Sequence, residues 1–200
     1  HEGSFLMGVA AAMKSKTGVV GFIGGMDIPL IRRFQKAFEA GVKYVNPKAL
    51  VLNNYIGVTG EAWNNPAKAK EMALAQIGKK ADVIFHAAGA SGSGLFDAAA
   101  EKKIYAIGVD SNQNWMKPGV VLTSMLKRVD IAVYETIKAS TENKFKSGVI
   151  RFGLKDSGVD LAIDKYNDAL WSPAEKTKLT DIKKLIVNKK INVPDYYLTK

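Results

Sequence analysis

Residues 17–57 read TGVVGFIGGMDIPLIRRFQKAFEAGVKYVNPKALVLNNYIG, and this stretch decides the fold. Val19 to Ile23 is a short apolar run containing β-branched residues, the composition of a buried strand. Asp27 stands where a helix N-cap would, with Pro29 in the first turn, a position that needs no backbone N–H. Leu30, Ile31, Phe34, Phe38, Val42 and Val45 then recur at helical spacing, which makes one apolar stripe on an amphipathic helix. Ala49 to Ile56 is a second strand. Strand, helix and strand in that order form a βαβ unit, in which a right-handed crossover lays the two strands parallel.

The rhythm continues outward from that unit. Asn65 and Pro66 open a helix with Ala69, Met72, Ala73 and Ile77 on one side, Asp82 to Ala88 is a third strand, Ser91 or Ser93 caps a helix from Leu95 to Lys102, and Tyr105 to Val109 is a fourth strand. Alternation of this kind predicts an α/β fold with a doubly wound parallel sheet whose strands are buried on both faces. Beyond Lys117 the spacing changes. Val120 to Met125 reads as a strand, Val129 to Ser140 as a helix, Val149 to Leu154 and Val159 to Ile163 as short strands, and Ser172 to Val187 as a last helix with Pro173 in its first turn. The start is anomalous, because Phe5 to Met13 is a helix-like apolar run with no strand before it, so the chain reads as one entered partway through a fold.

Composition removes several function classes. With 47% hydrophobic and 24% charged residues the chain is neither disordered nor membrane-embedded, and no uncharged run reaches the length of a spanning helix. Zero cysteines exclude thiolate catalysis and cysteine-ligated zinc, and two histidines, His1 and His86, cannot build a histidine-rich metal site. No metal and no cofactor is expected. The net charge of +10 raises nucleic acid as a partner, but nearly all the cations are lysines at helix ends and on polar helix faces. Base readers depend on the arginine fork. A solvated surface is the simpler reading, with an anionic membrane surface as the other.

Ligands of parallel α/β sheets bind at the carboxyl ends of the strands, which directs attention to the loops 24–27, 57–65, 89–94 and 110–117. Gly24-Gly25-Met26-Asp27 has the setting of a phosphate turn, yet an aspartate there repels phosphate, and a tight turn before a helix accounts for it equally well. Gly89-Ala90-Ser91-Gly92-Ser93-Gly94 offers backbone N–H groups to an anion, or close approach to a neutral ligand. It misses the GxSxG nucleophile elbow, so a hydrolase is disfavoured and no catalytic residue is assigned. Asp110 ends the fourth strand and is followed by Ser111, Asn112, Gln113, Asn114 and Trp115; a carboxylate there can accept from two hydroxyls of a ribose or sugar, or simply form a turn. Trp63 and Trp115 offer flat faces for stacking, or serve as core and rim residues. Lys127 is either a ligand-facing cation or a solvated lysine.

Longer stretches carry a resemblance. HEGSFLMGVAAAMKSKTGVVGFIGGMDIPLIRRFQKAFEAGVKYVNP (1–47), NNPAKAKEMA (64–73), AAGASGSGLFDAAAEKKIYAIGVDSNQN (87–114) and VLTSMLKRVDIAVYETIKA (121–139) resemble the basic membrane protein family of substrate-binding lipoproteins, whose best-understood members are purine nucleoside receptors of bacterial ABC transporters. The resemblance implies a periplasmic-binding-protein-like fold of two doubly wound lobes joined by a hinge, with the first lobe incomplete in this chain. Residues 1–16 are then expected to end the first lobe, 17–122 to form the second, 123–150 to return to the first, and 151–200 to cross back and close with a helix.

It implies, further, that Asp110 and Lys127 hold a ribose, that Gly89 lies in the glycine loop beside it, and that Trp63 is the second-lobe aromatic stacked on a base. The expected partners are a small-molecule nucleoside and an ABC transporter permease, with no nucleic acid. The expected state is a monomer on the extracytoplasmic face of a bacterial cell membrane, anchored through an N-terminal lipidated cysteine outside this chain. A receptor for a sugar or other polyol is the alternative, since an aspartate and a glycine loop read hydroxyls and say little about a base. A regulatory or surface protein on the same fold would instead use its lysine faces.

Overall fold

The computed structural model describes residues 1–198. Its elements run α1 (Glu2–Lys14), β1 (Val19–Met26), α2 (Pro29–Val45), β2 (Leu50–Gly57), α3 (Pro66–Gly78), β3 (Val83–Ala87), α4 (Gly92–Lys102), β4 (Tyr105–Asp110), β5 (Val121–Lys127), α5 (Val129–Thr141), β6 (Val159–Leu161) and α6 (Pro173–Val187). One six-stranded sheet has the order β2-β1-β3-β4-β5-β6. Its first five strands are parallel, and β6 pairs antiparallel to β5 through Met125 and Leu161.

Alternate residues of the central strands feed two cores. Phe22 and Phe85 point into the layer made by α1, α2 and α6, where they meet Phe38 with ring centroids 5.3–6.2 Å apart. Ile23 and Ile84 point the other way, against Ala69 and Ala73 of α3 and Leu95 and Phe96 of α4. Period-two alternation in strands that are buried on both sides thus yields a three-layer sandwich.

The strandless start is explained by α1. Gly3 to Ala11 are buried, and Gly8 lets the helix press onto α2, since a Cβ at that position would come within 2.1 Å of the Phe38 carbonyl oxygen. Residues 1–16 therefore pack on the same sheet as β1 to β5.

Most local expectations hold, with four corrections. β1 runs on to Met26, so Asp27 does not cap α2; Ile28 occupies the cap and Asp27 makes a two-pronged pair with Arg32 at 2.7 Å. Asn65 does cap α3, accepting from the Lys68 N–H, and Ser172 and Glu175 form a reciprocal capping box on α6. β2 is an edge strand and is not buried on both faces; Leu50 is 53% exposed. Ser91 occupies the α4 cap, but its hydroxyl is directed elsewhere, and Ser93 lies inside the helix. Val149 to Leu154 forms no strand; β6, from Val159 to Leu161, is the segment that pairs with β5.

Candidate functional site

A cleft of about 1430 Å³ opens along the carboxyl ends of the strands, and Trp63, Gly89, Asp110 and Lys127 all line it. Each comes from a different strand end. The short turn 60–63 after β2 carries Trp63, and the loop between β3 and α4 carries Gly89. Asp110 is the last residue of β4 and Lys127 the last of β5.

Trp63 is seated by glycine. Its half-buried ring lies over Gly25 of β1, where a Cβ would stand 2.3 Å from the ring. Gly25 accordingly clears the strand surface for an indole while Gly24, on the other face, makes room for Ile31 and Tyr55, and the phosphate-turn reading fails. Ser91 secures the same loop by donating to the Ala62 carbonyl at 2.8 Å and accepting from the Asn65 N–H at 2.7 Å. Gly89 has φ +58°, left-handed backbone that glycine adopts without strain, and it faces the Trp63 carbonyl. The glycines and serines of 89–94 thus serve the packing of this loop.

Asp110 and Lys127 form an ion pair at 2.6 Å, each side chain about half exposed in the cleft. An exposed pair of this kind contributes at most about 1 kcal/mol to folding. Its chemistry suits a diol: the carboxylate accepts from hydroxyls while the ammonium donates to their oxygens. Asp110 has φ +68°, uncommon for a residue with a side chain.

The neighbouring loop does not reach into the cleft. Asn112 Nδ2 donates to Asp164 at 2.6 Å, and Asn114, fully buried, takes the Ser124 hydroxyl at 2.8 Å. Asn167 and Trp171 fasten the tail to the Leu122 carbonyl at 2.8 and 3.0 Å. The polar residues that follow Asp110 are consumed in joining β4, β5 and the tail. Trp115 is 60% exposed and lies outside the cleft lining.

Sequence reasoning missed one group of lining residues. Arg33 of α2 makes a two-pronged pair with Asp195 at 2.7 Å, touches His1 Nδ1 at 3.0 Å, and lies over the Tyr197 ring at 4.9 Å. Burial works to raise the Asp195 carboxyl pKa, but the Arg33 guanidinium and the Tyr197 N–H outweigh it and hold the group below the usual range. Arg33 and Asp195 are 162 residues apart, and no local pattern announces their meeting. Among the described residues no three His, Cys, Asp or Glu side chains gather as metal ligands, and no helix is long and apolar enough to cross a membrane.

The same α/β fold is found in solute-binding proteins. An ABC transporter solute-binding protein from Aeropyrum pernix K1 superposes with a TM-score of 0.81 at 25% identity, covering 96% of this chain and 64% of that one. A protein described as a transcriptional activator of the comK gene from Bacillus halodurans superposes at 0.83 with 23% identity and shares the fold. The family model for Bmp, ABC transporter substrate-binding protein PnrA-like, matches residues 1–196, and the chain belongs to this family.

Among curated relatives, an ABC transporter nucleoside-binding protein, BmpA, of Lactococcus lactis subsp. cremoris is 34% identical over 97% of this chain and 58% of its own length. Basic membrane protein D of Borreliella burgdorferi is 34% identical over 97% of this chain and 57% of its own. The chain thus spans somewhat under three-fifths of the length of these relatives.

Proposed function

We propose that this chain is the ligand-reading part of an extracytoplasmic, non-enzymatic receptor that captures a nucleoside and delivers it to an ABC transporter permease. The observation that carries this reading is the convergence of an aspartate–lysine pair and a glycine-seated tryptophan on one cleft. Asp110 and Lys127 would hold the ribose diol, Trp63 would stack on a purine, and Gly89 would let the sugar approach the backbone. A relative described as nucleoside-binding, at 34% identity, supports the ligand class.

In this proposal residues 17–122 form the second lobe and 123–150 lead to the first, while the packing of α1 on the sheet favours counting 1–16 with the second lobe. The receptor would be a monomer held at the membrane by a lipidated cysteine outside this chain. The second reading, a sugar or polyol receptor, draws on the same pair, since both groups read hydroxyls.

Thermal shift with adenosine, guanosine, inosine, their 2′-deoxy forms, ribose and glucose separates the two. A nucleoside at a hundred times its Kd adds about 2.7 kcal/mol, a rise of roughly 5–10 °C for a chain of this size. Purine nucleosides are expected to give that rise and 2′-deoxynucleosides much less. A rise with ribose or glucose and none with nucleosides would replace the first reading with the second.

A further inference from the structure

Asp110 carries a left-handed backbone at the end of β4, and a residue with a Cβ stays there only when its surroundings hold it. The β3–β4 ladder ends at Phe85 beside Ile107, two residues short of Val109. In its place Gln113 Oε1 accepts from the Val109 N–H at 2.8 Å. The Ser111 N–H returns to the Val109 carbonyl at 2.9 Å, which makes Asp110 the middle residue of a tight three-residue turn.

The orientation of Gln113 follows from chemistry. A backbone N–H can only donate, so the atom facing it is the amide oxygen. The same oxygen lies 3.1 Å from His86 Nε2, which must therefore carry the proton, leaving Nδ1 bare. His86 Nδ1 indeed meets no partner among the described residues.

The imidazole is locked by the Phe96 ring at 5.3 Å and by Gly92, where a Cβ would sit 2.0 Å from Cε1. Gln113 is held from its other end by its N–H, which donates to Ser124 Oγ at 3.0 Å. Gly108 leaves the room for this, since a Cβ there would stand 2.6 Å from Ser124 Oγ and 2.8 Å from Gln113 Oε1. A buried histidine, a glutamine and a glycine thus converge on the residue just ahead of Asp110.

We propose that Gln113, oriented by His86, is a positioning residue that fixes the Asp110 carboxylate in the pose that meets a pair of ligand hydroxyls. The inference rests on the reading of Asp110 as a ligand residue. A glutamine that merely ties down its loop would cost stability without regard to Asp110; a positioning residue acts through it.

The test is a double-mutant cycle on adenosine affinity, measured by calorimetry in a protein of the relatives' full length that contains this chain, with exchange of the Val109 amide as a ligand-free readout. Gln113→Ala is expected to weaken adenosine at least tenfold and to accelerate Val109 exchange, yet to change little in an Asp110→Asn background. Gln113→Glu keeps an oxygen that accepts both N–H groups and is expected to restore most of the affinity and the protection. Unchanged Val109 exchange in Gln113→Ala, unchanged affinity, or the same fold-loss in both backgrounds overturns the proposal. A wild-type protein of the relatives' full length that binds neither nucleoside nor polyol overturns the ligand reading of Asp110 instead, and Val109 exchange then still decides whether Gln113 holds the turn.

Discussion

At the scale of single residues, conformation and the proposed ligand role pull in opposite directions at Asp110. Its backbone at φ +68° costs an L-residue roughly 1–2 kcal/mol, while its ion pair with Lys127 is too exposed to repay that in stability. Asp110→Gly is therefore expected to leave the fold as stable or about 1 kcal/mol more stable in urea denaturation, and to remove most affinity for ribonucleosides, because hydrogen bonds to a charged acceptor contribute about 1.5–3 kcal/mol each. Discrimination between ribo and 2′-deoxy ligands should vanish with it. A glycine variant that is both less stable and fully competent to bind would show that the strain serves something else.

Gly25 makes the complementary case, a residue whose missing side chain makes room for the Trp63 ring. A methyl group 2.3 Å from the Trp63 ring must push the indole out, so Gly25→Ala is expected to cost about 1–3 kcal/mol and to shift Trp63 emission toward the solvated value. In a Trp63→Ala background the same change should be nearly neutral. Equal costs in both backgrounds would place the damage in β1 itself.

At the scale of elements, β3 carries a histidine with no charge to give. Burial pushes the His86 pKa from 6.5 down to about 4, with the Gln113 bond and nearby Asp110 opposing only in part. The unfolded chain takes up this proton below pH 6.5 and the folded chain not until about pH 4. Stability from His86 is hence complete above pH 6.5 and declines as pH falls toward 4, by up to about 3 kcal/mol at 1.36 kcal/mol per unit. Asp164, Glu175 and Asp195, held below the usual carboxylate range, add losses that begin near their ordinary values of 3.8 to 4.5 and grow as pH falls further. His86→Gln should flatten the decline between pH 6.5 and 4 in urea midpoints while leaving the more acidic limb in place; an unaltered slope would mean another group titrates there.

The elements themselves were largely legible. β-Branched runs and helical stripes are local signals, so β1 to β4 and the helices between them could be read from neighbours in sequence, and the rule that ligands sit at carboxyl ends of parallel strands pointed to the loops that carry Trp63, Gly89 and Asp110, while Lys127 and the ligand roles of all four came from the family resemblance. What could not be read depends on distant partners. Arg33 meets Asp195 across nearly the whole chain, and nothing in the sequence around Gln113 announces that β3 supplies His86 as its partner. Val149 to Leu154 has the apolar content of a strand, yet it is Val159 to Leu161 that pairs with β5, a choice no run of residues can announce.

At the scale of the whole molecule, α5 stands apart. None of its residues is buried, and Val129, Val133, Tyr134 and Ile137 are each more than half exposed, as is Phe145 beyond it. A stripe at positions i, i+4 and i+8 that faces water contrasts with α1, whose apolar residues are covered by α2 and the sheet. In the two-lobe proposal this stripe is covered by a first lobe, which also supplies the far wall of the cleft. Binding by the 200-residue chain alone then leaves the outer half of a nucleoside in water, and affinity depends on how much of a ligand's surface is enclosed. The chain alone is expected to bind adenosine at least a hundredfold more weakly than a protein of the relatives' full length that contains it, and the amides of α5 are expected to exchange with solvent near the rate of an isolated helix in the former and to be protected in the latter. The two measurements are independent, one reading the cleft and the other the stripe. Protection of α5 without a gain in affinity would keep the second lobe contact and move the ligand elsewhere; equal affinity and equal exchange in both proteins would leave this lobe as the complete receptor and α5 as a helix with a different partner.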